Sequence, residues 1–141
     1  MRCRIFLDTN VFIYGFEYKE SNSAKIIEAL NKREVEGIIC EYVIKEVTHY
    51  FEKFYSKELA NLYKRYLLHS CIIIRRDRLV STMDVFKGKI KDKDLEQLAA
   101  VKKLGIKFLL SYDRDFENFD EYRTPKKFLK EMNKTYVDTE Y

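Results

Sequence analysis

The chain has 141 residues, 27 Lys and Arg against 23 Asp and Glu for a formal net charge of +4, and 46% hydrophobic and 15% aromatic residues. That length admits one domain with a substantial core, spanning 1–141, and the composition excludes a disordered or collagen-like chain. One Pro and four Gly are too few for an all-β fold built on many tight turns.

Cys3, Cys40 and Cys71 are odd in number, far apart and set in apolar runs, which suits neither a disulfide framework nor a CxxC metal knuckle. They read as buried thiols in a reducing, cytoplasmic compartment. Arg2 and Arg4 imitate a basic leader, but Asp8 and Asn10 interrupt the apolar stretch too early. No apolar run has bilayer length, so no membrane association is expected. The basic excess is interspersed with acids and permits a nucleic-acid partner without requiring one.

In chain order, apolar runs at Cys3 to Leu7, Gly37 to Cys40, Cys71 to Ile74 and Lys107 to Leu110 predict strands, separated by segments of helical periodicity. Ser21, Asn22 or Ser23 caps a helix carrying Ile26, Ile27 and Leu30. A helix from Tyr42 to Tyr55 presents Val43, Val47, Tyr50, Phe51 and Phe54 on one face. Another starts near Ser56 or Lys57, and one runs from Asp77 through Val85. The stretch from Asp92 or Asp94 to Leu104 ends with Lys102 and Lys103 before Gly105, a C-terminal capping pattern. Thr124-Pro125 opens a last helix through Met132, and the polar tail, residues 133–141, is expected to fray. Continuous rather than alternating apolar strands with helical crossovers predict a parallel sheet between helix layers.

In such sheets the working groups collect at the carboxyl ends of the strands. Asp8, Thr9 and Asn10 follow the first strand, and Ser111, Asp113 and Asp115 follow the fourth. Glu46 lies at the border of the apolar face of its helix, and Asp94 opens the helix containing Leu98 and Ala99. Each has an ordinary alternative: capping for Asp8, Asp94 and Asp113, and a solvated pair with Lys45 or Lys53 for Glu46. Glu41 and Glu52 share a helix with Glu46, and Asp92 competes with Asp94. His49 and His69 stand alone and read as structural or surface residues.

Together these residues resemble the PIN-domain nucleases, especially the small kind that includes the toxin subunits of bacterial and archaeal VapBC toxin–antitoxin pairs. The resemblance rests on Asp8-Thr9-Asn10 after a strand, on a helical Glu matched by Glu46, and on Asp94 with Ala99 and Leu104-Gly105. It continues with Ser111-Tyr112-Asp113-Arg114-Asp115-Phe116 and Thr124-Pro125, and covers Ile5 to Met132. Ser111 stands where Thr is commoner, and bulky Leu95 where a small residue is usual. The implied fold is a three-layer α/β/α sandwich with a central parallel sheet of four or five strands.

Converging carboxylates raise one another's pKa and call for a cation. Acids without a Cys/His set favour Mg²⁺ or Mn²⁺ over zinc. The chemistry would be metal-assisted hydrolysis of a phosphodiester, and the resemblance implies RNA as substrate with a 5′-phosphate product. Asp8, Asp94 and Asp113 are the expected ligands, Glu46 a ligand or water-positioning base, and Asp115 an outer or alternate ligand. Thr9, Asn10 and Ser111 would orient the carboxylates. Lys19, Lys45, Lys53, Arg75, Arg76, Arg78 and Arg114 are candidates to hold the strand, and Tyr14, Tyr42 and Tyr112 to stack on bases. The resemblance further implies a small antitoxin that blocks the acidic pocket, and a homodimer formed through apolar helix faces. A non-catalytic RNA- or protein-binding module of the same fold and an orphan RNA-processing nuclease are the alternatives. A haloacid-dehalogenase-type phosphatase would need Asp where Asn10 stands.

Overall fold

Ile5, Phe6 and Leu7 are consecutive and fully buried, so the strand they form, β1 (Cys3–Leu7), is covered on both faces. In the computed structural model, which describes residues 2–141, β1 is the middle of a five-stranded parallel sheet of order β3-β2-β1-β4-β5. The other strands are β2 (Val35–Cys40), β3 (Cys71–Ile74), β4 (Phe108–Leu110) and the two-residue β5 (Tyr122–Arg123). The helices are α1 (Thr9–Glu17), α2 (Asn22–Asn31), α3 (Glu41–Phe54), α4 (Lys57–Ser70), α5 (Val80–Phe86), α6 (Leu95–Leu104) and α7 (Pro125–Glu131).

The chain moves outward from β1 to β2 and β3, then returns across the sheet to β4 and β5. Right-handed crossovers therefore place α1–α4 on one face and α5 and α6 on the other, and α7 closes against α2. This is the expected three-layer architecture with the larger expected strand number. The reversal of direction lies between β1 and β4, so the crevice such sheets open for a ligand falls at the ends of those two strands.

Local chemistry sets the helix ends. Ser21 accepts the Ala24 N–H, Ser56 that of Leu59, and Thr124 that of Lys127 with Pro125 next in line. Gly105 ends α6 at φ 62°, the left-handed conformation expected there. Gly15 lets α1 and α2 close up, since a Cβ there would lie 2.8 Å from Ile27 Cγ1 and 3.3 Å from the Ser23 carbonyl oxygen.

The structure corrects several expectations. The sequence assigns no helix over Thr9–Glu17, where α1 follows β1 after a single residue, and α3 begins at Glu41 rather than Tyr42. The helix expected from Asp77 is a 3₁₀ turn, Arg76–Arg78, followed by α5. Cys40 and Cys71 are buried free thiols, whereas Cys3 is only partly covered.

The tail packs back against α1 and α2. Asn22, fully buried at the start of α2, donates through Nδ2 to the carbonyl oxygens of Val137 and Thr139, both at 3.0 Å. Its Oδ1 accepts the Val137 N–H at 2.8 Å. Tyr141 packs on Tyr14, Tyr18 and Tyr112. A buried amide needs partners for its donors and acceptor, and here the tail backbone supplies them.

Candidate active site

Leu7 pairs with Leu110 across β1 and β4, which sets the residues after each strand side by side. The Asp8 N–H donates to the Leu110 carbonyl at 3.0 Å. Asp8 is also the N-cap of α1, with Oδ1 accepting the Thr9 N–H at 2.7 Å and Oδ2 accepting the Ser111 hydroxyl at 2.5 Å. The Ser111 oxygen in turn accepts the Asp113 N–H at 2.9 Å, and Asp113 Oδ1 accepts the Asp115 N–H at 2.9 Å. One run of hydrogen bonds thus ties the first carboxylate to the loop bearing the last two. The capping reading of Asp8 and the functional reading are both satisfied, because one oxygen is enough for the cap.

Glu46 reaches the same place from α3. Its Oε1 accepts the Thr9 hydroxyl at 2.8 Å and its Oε2 the Tyr42 hydroxyl at 3.0 Å, one helical turn away. Burial first, and then Glu46 itself, push the Tyr42 phenol up to about 12, which keeps it a donor. Glu41 and Glu52 line a different groove, so of the three acids on α3 it is Glu46 that lines this cavity.

Asp94 closes a 3₁₀ turn (Asp92–Asp94) immediately before α6 and is 2% exposed, while Asp92 is exposed. The capping alternative for Asp94 is not taken: Asp94 makes no side-chain cap, and its Oδ2 is buried without a partner, as is the Gln97 Oε1. Buried polar atoms left unpaired are costly, and a native fold seldom leaves them so without a reason.

Asp8, Glu46, Asp94, Asp113 and Asp115 line one cavity of about 470 Å³ together with Thr9, Asn10, Tyr42, Gln97, Lys91 and Lys93. Oxygens of Asp94, Asp113 and Asp115 lie within 4.8 Å of one another. Burial drives the Asp8 carboxyl up from 3.8 to about 6 against the pull of its two hydrogen bonds, with Glu46 and Asp113 adding repulsion. Asp94 also rises to about 6, through burial and then the charge of Asp113. Asp113 goes the other way: partial burial opposes the shift, but the Asp115 N–H and the Lys93 ammonium hold it below the ordinary range. Crowded carboxylates with raised pKa values, one bare oxygen and only oxygen donors fit a small hard divalent cation.

Thr9 and Ser111 hydrogen-bond the carboxylates of Glu46 and Asp8, whereas Asn10 lines the cavity with no hydrogen bond to any of the acids. None of the cations anticipated from the sequence reaches the cavity. Arg76 pairs with Glu96 and Arg114 with Glu117, while the lysines present, Lys91 and Lys93, stand outside the anticipated set. Their signal is the alternation Lys87-Gly88-Lys89-Ile90-Lys91-Asp92-Lys93 running into Asp94. Tyr112 and Tyr14 pack on each other and on Tyr141, and Tyr112 hydrogen-bonds Ser23, so neither ring lies free to stack on a base.

Glu96 carries a role not legible in the sequence. Buried to 3% exposure, it accepts the Tyr42 N–H at 2.9 Å and the Arg76 guanidinium at 2.8 Å. Cys40, the N-cap of α3, offers no side-chain cap. Glu96 therefore caps the helix that carries Glu46 from the neighbouring helix α6, where an anion is favoured by the helix dipole.

A family model described as PIN domain matches residues 5–122. No curated protein sequence matches the chain. Among solved structures, a toxin–antitoxin complex from Klebsiella pneumoniae superposes with a TM-score of 0.67 at 21% identity, covering 86% of this chain and 97% of that one. Mycobacterium tuberculosis VapC20, described as a sarcin–ricin-loop-cleaving toxin, gives 0.62 at 15% identity over 81% and 93%. VapBC2 from Rickettsia felis, bound to a promoter DNA fragment, gives 0.61 at 17% over 86% and 98%. At these identities the likeness is one of fold.

Proposed function

Because the chain belongs to the PIN domain family, a family of nucleases, we propose that it is a metal-dependent endoribonuclease and the toxin of a toxin–antitoxin pair. The observation that carries this reading is the gathering of five carboxylates around one cavity, one of them Asp94 with its unpartnered Oδ2. Asp94, Asp113 and Asp115 would hold a Mg²⁺ or Mn²⁺ ion, with Asp8 beside them. Such an ion, when bound, supplies a Lewis acid that acidifies water and offsets charge on a phosphodiester.

The chain's own groups do the rest by position. Glu46, fixed by two hydroxyl donors, keeps free lone pairs as acceptors for the protons of an attacking water and orients it. Ser111 and the Thr9 N–H hold Asp8 in one rotamer, which limits the reorganisation needed when charge develops. An antitoxin would act by covering this cavity, and a basic side chain inserted among the acids is the simplest means. That solved structures sharing the fold are of toxin–antitoxin proteins supports an antitoxin partner. Among the described residues no helix is long and apolar enough to cross a membrane.

Cleavage of end-labelled single-stranded RNA in Mn²⁺ or Mg²⁺, with EDTA and Asp8→Asn as controls, tests the reading. Metal-dependent cutting lost in the variant is expected. RNA that is bound in a metal-independent way and never cut would favour a binding module instead.

A further inference from the structure

The five acids of the cavity are faced by two ammoniums, both from the loop between α5 and α6. Lys93 Nζ lies 3.1 Å from Asp113 Oδ2, 3.7 Å from Asp94 Oδ1 and 4.0 Å from Asp115 Oδ2. Lys91 Nζ lies 3.1 Å from Asp115 Oδ2. Lys93 is thus set among the same three carboxylates whose oxygens gather within 4.8 Å. It makes a hydrogen bond to Asp113 alone among them, although an ammonium carries three donors.

Neither lysine is built into the fold. Their side chains are 55% and 66% exposed, so each is a solvated stem with only its head on the acids. Ion pairs of that kind are weak and easily exchanged. Lys89 of the same loop turns away, its ammonium 5.6 Å from the Phe86 ring centroid. A divalent cation held by Asp94, Asp113 and Asp115 and the Lys93 head cannot share this space, because like charges at such separations repel strongly. An RNA strand has the converse difficulty, since its phosphates meet a cavity lined by acids and need cations at the rim.

We propose that Lys93, with Lys91 beside it, is a substrate-phosphate clamp stored on the acidic cluster: the ammonium competes with the divalent cation for Asp113 and, once displaced, binds the RNA phosphate nearest the cluster. The proposal rests on the nuclease reading for its substrate, but its competition half concerns the metal alone. It makes cation entry and strand capture one linked event, because the charge that leaves the carboxylates is the charge the phosphate receives. Lys93 would act as a binding residue at the rim, on the strand rather than on the reacting water.

Two measurements on the full chain separate this proposal from the nuclease reading. The first titrates Mn²⁺ alone, following the free aqua ion by electron paramagnetic resonance. Lys93→Met should bind Mn²⁺ about fivefold more tightly than wild type, as expected from removing an exposed competing pair, and Lys89→Met should bind it as wild type does. The second follows, by fluorescence anisotropy in Mn²⁺ across a salt series, a labelled phosphorothioate single-stranded oligoribonucleotide that resists cleavage. Lys93→Met should weaken binding and flatten the log–log salt slope by about 0.7, the value for one lost phosphate contact on a single strand, while Lys93→Arg should keep the slope. In EDTA, with the lysine still on the carboxylates, wild type and Lys93→Met should have the same slope. Unchanged Mn²⁺ affinity in Lys93→Met, an equal effect from Lys89→Met, or an unchanged salt slope in Mn²⁺ would each overturn the proposal. Failure of the wild type to cut RNA would sink the nuclease reading and leave the Mn²⁺ titration to judge Lys93 by itself.

Discussion

The Thr9 hydroxyl donates to Glu46 Oε1 at 2.8 Å, joining the first residue of α1 to the second turn of α3 across 37 positions of sequence. With Tyr42 on the other oxygen, Glu46 is held from both sides. Thr9→Val keeps the side-chain shape and removes that donor, and Tyr42→Phe does the same for the phenol. Each should lower kcat about tenfold with little change in KM, and shift stability by about 1 kcal/mol, the usual worth of one hydrogen bond. Steady-state kinetics beside thermal melts checks this; equal loss in KM would point to a substrate-binding role instead.

Asp8 and Asp94 make the fold pH-sensitive in a defined direction. Below pH 3.8 both carboxyls are protonated folded and unfolded, and neither contributes. Between 3.8 and about 6 the unfolded chain ionises first, so stability falls with rising pH, and above about 6 the penalty is complete. Taken singly, a shift of that size corresponds to on the order of 3 kcal/mol for each group. Asp113, held low, contributes in the opposite sense, and that contribution is lost only as pH drops through its depressed folded value. In EDTA, the melting temperature of Asp94→Asn relative to wild type should therefore rise by several degrees between pH 4 and pH 7.5. At pH 7.5, Mn²⁺ should stabilise wild type and not the variant. A pH-independent difference between the two would contradict the crowding of charge in the cavity.

Glu96 holds α3 by its first turn. Replacing it with Ala leaves the Tyr42 N–H without its partner and Arg76 without its carboxylate, at a cost of roughly 1–3 kcal/mol. Because α3 carries Glu46, activity should fall further than stability alone explains. Denaturant melts and kcat at a temperature where both proteins are fully folded measure the two effects separately.

Asn22 should prove the anchor of the tail. Asn22→Ala removes three hydrogen bonds to the backbone of Val137 and Thr139, and a loss of roughly 2–3 kcal/mol is expected from leaving buried peptide groups unpaired. Amides of residues 134–141 should exchange faster in the variant, as read by hydrogen–deuterium exchange mass spectrometry. Protection unchanged by the substitution would mean that the tyrosine packing holds the tail by itself.

The strands were legible because residues 5–7, 37–40 and 108–110 are buried and read as unbroken apolar runs, and the caps at Ser21, Ser56, Thr124 and Gly105 because each acts within a few residues of itself. Asp8, Glu46, Asp94, Asp113 and Asp115 were placed near strand ends or on a helix border by spacing, and the structure brings all five to one cavity. What the sequence withheld are contacts between distant segments. Glu96 capping α3 spans 54 positions, and Asn22 holding Val137 spans 115. A polar tail carries no pattern announcing that a buried amide awaits it. β5, only two residues long, falls below the length at which alternation or an apolar run can be seen. Lys91 and Lys93 escaped because their meaning depends on where the loop lands, although the alternating lysines before Asp94 were in view.

Hydrolysis of RNA by these carboxylates with a divalent cation leaves its mark on the product ends. RNA cut by the purified chain in Mn²⁺ should carry 5′-phosphate and 3′-hydroxyl ends, with no product in EDTA or from Asp94→Asn. Products bearing 2′,3′-cyclic phosphate and 5′-hydroxyl ends, or cutting that persists in EDTA, would contradict it, because attack by the neighbouring 2′-hydroxyl needs neither the cluster nor a positioned water.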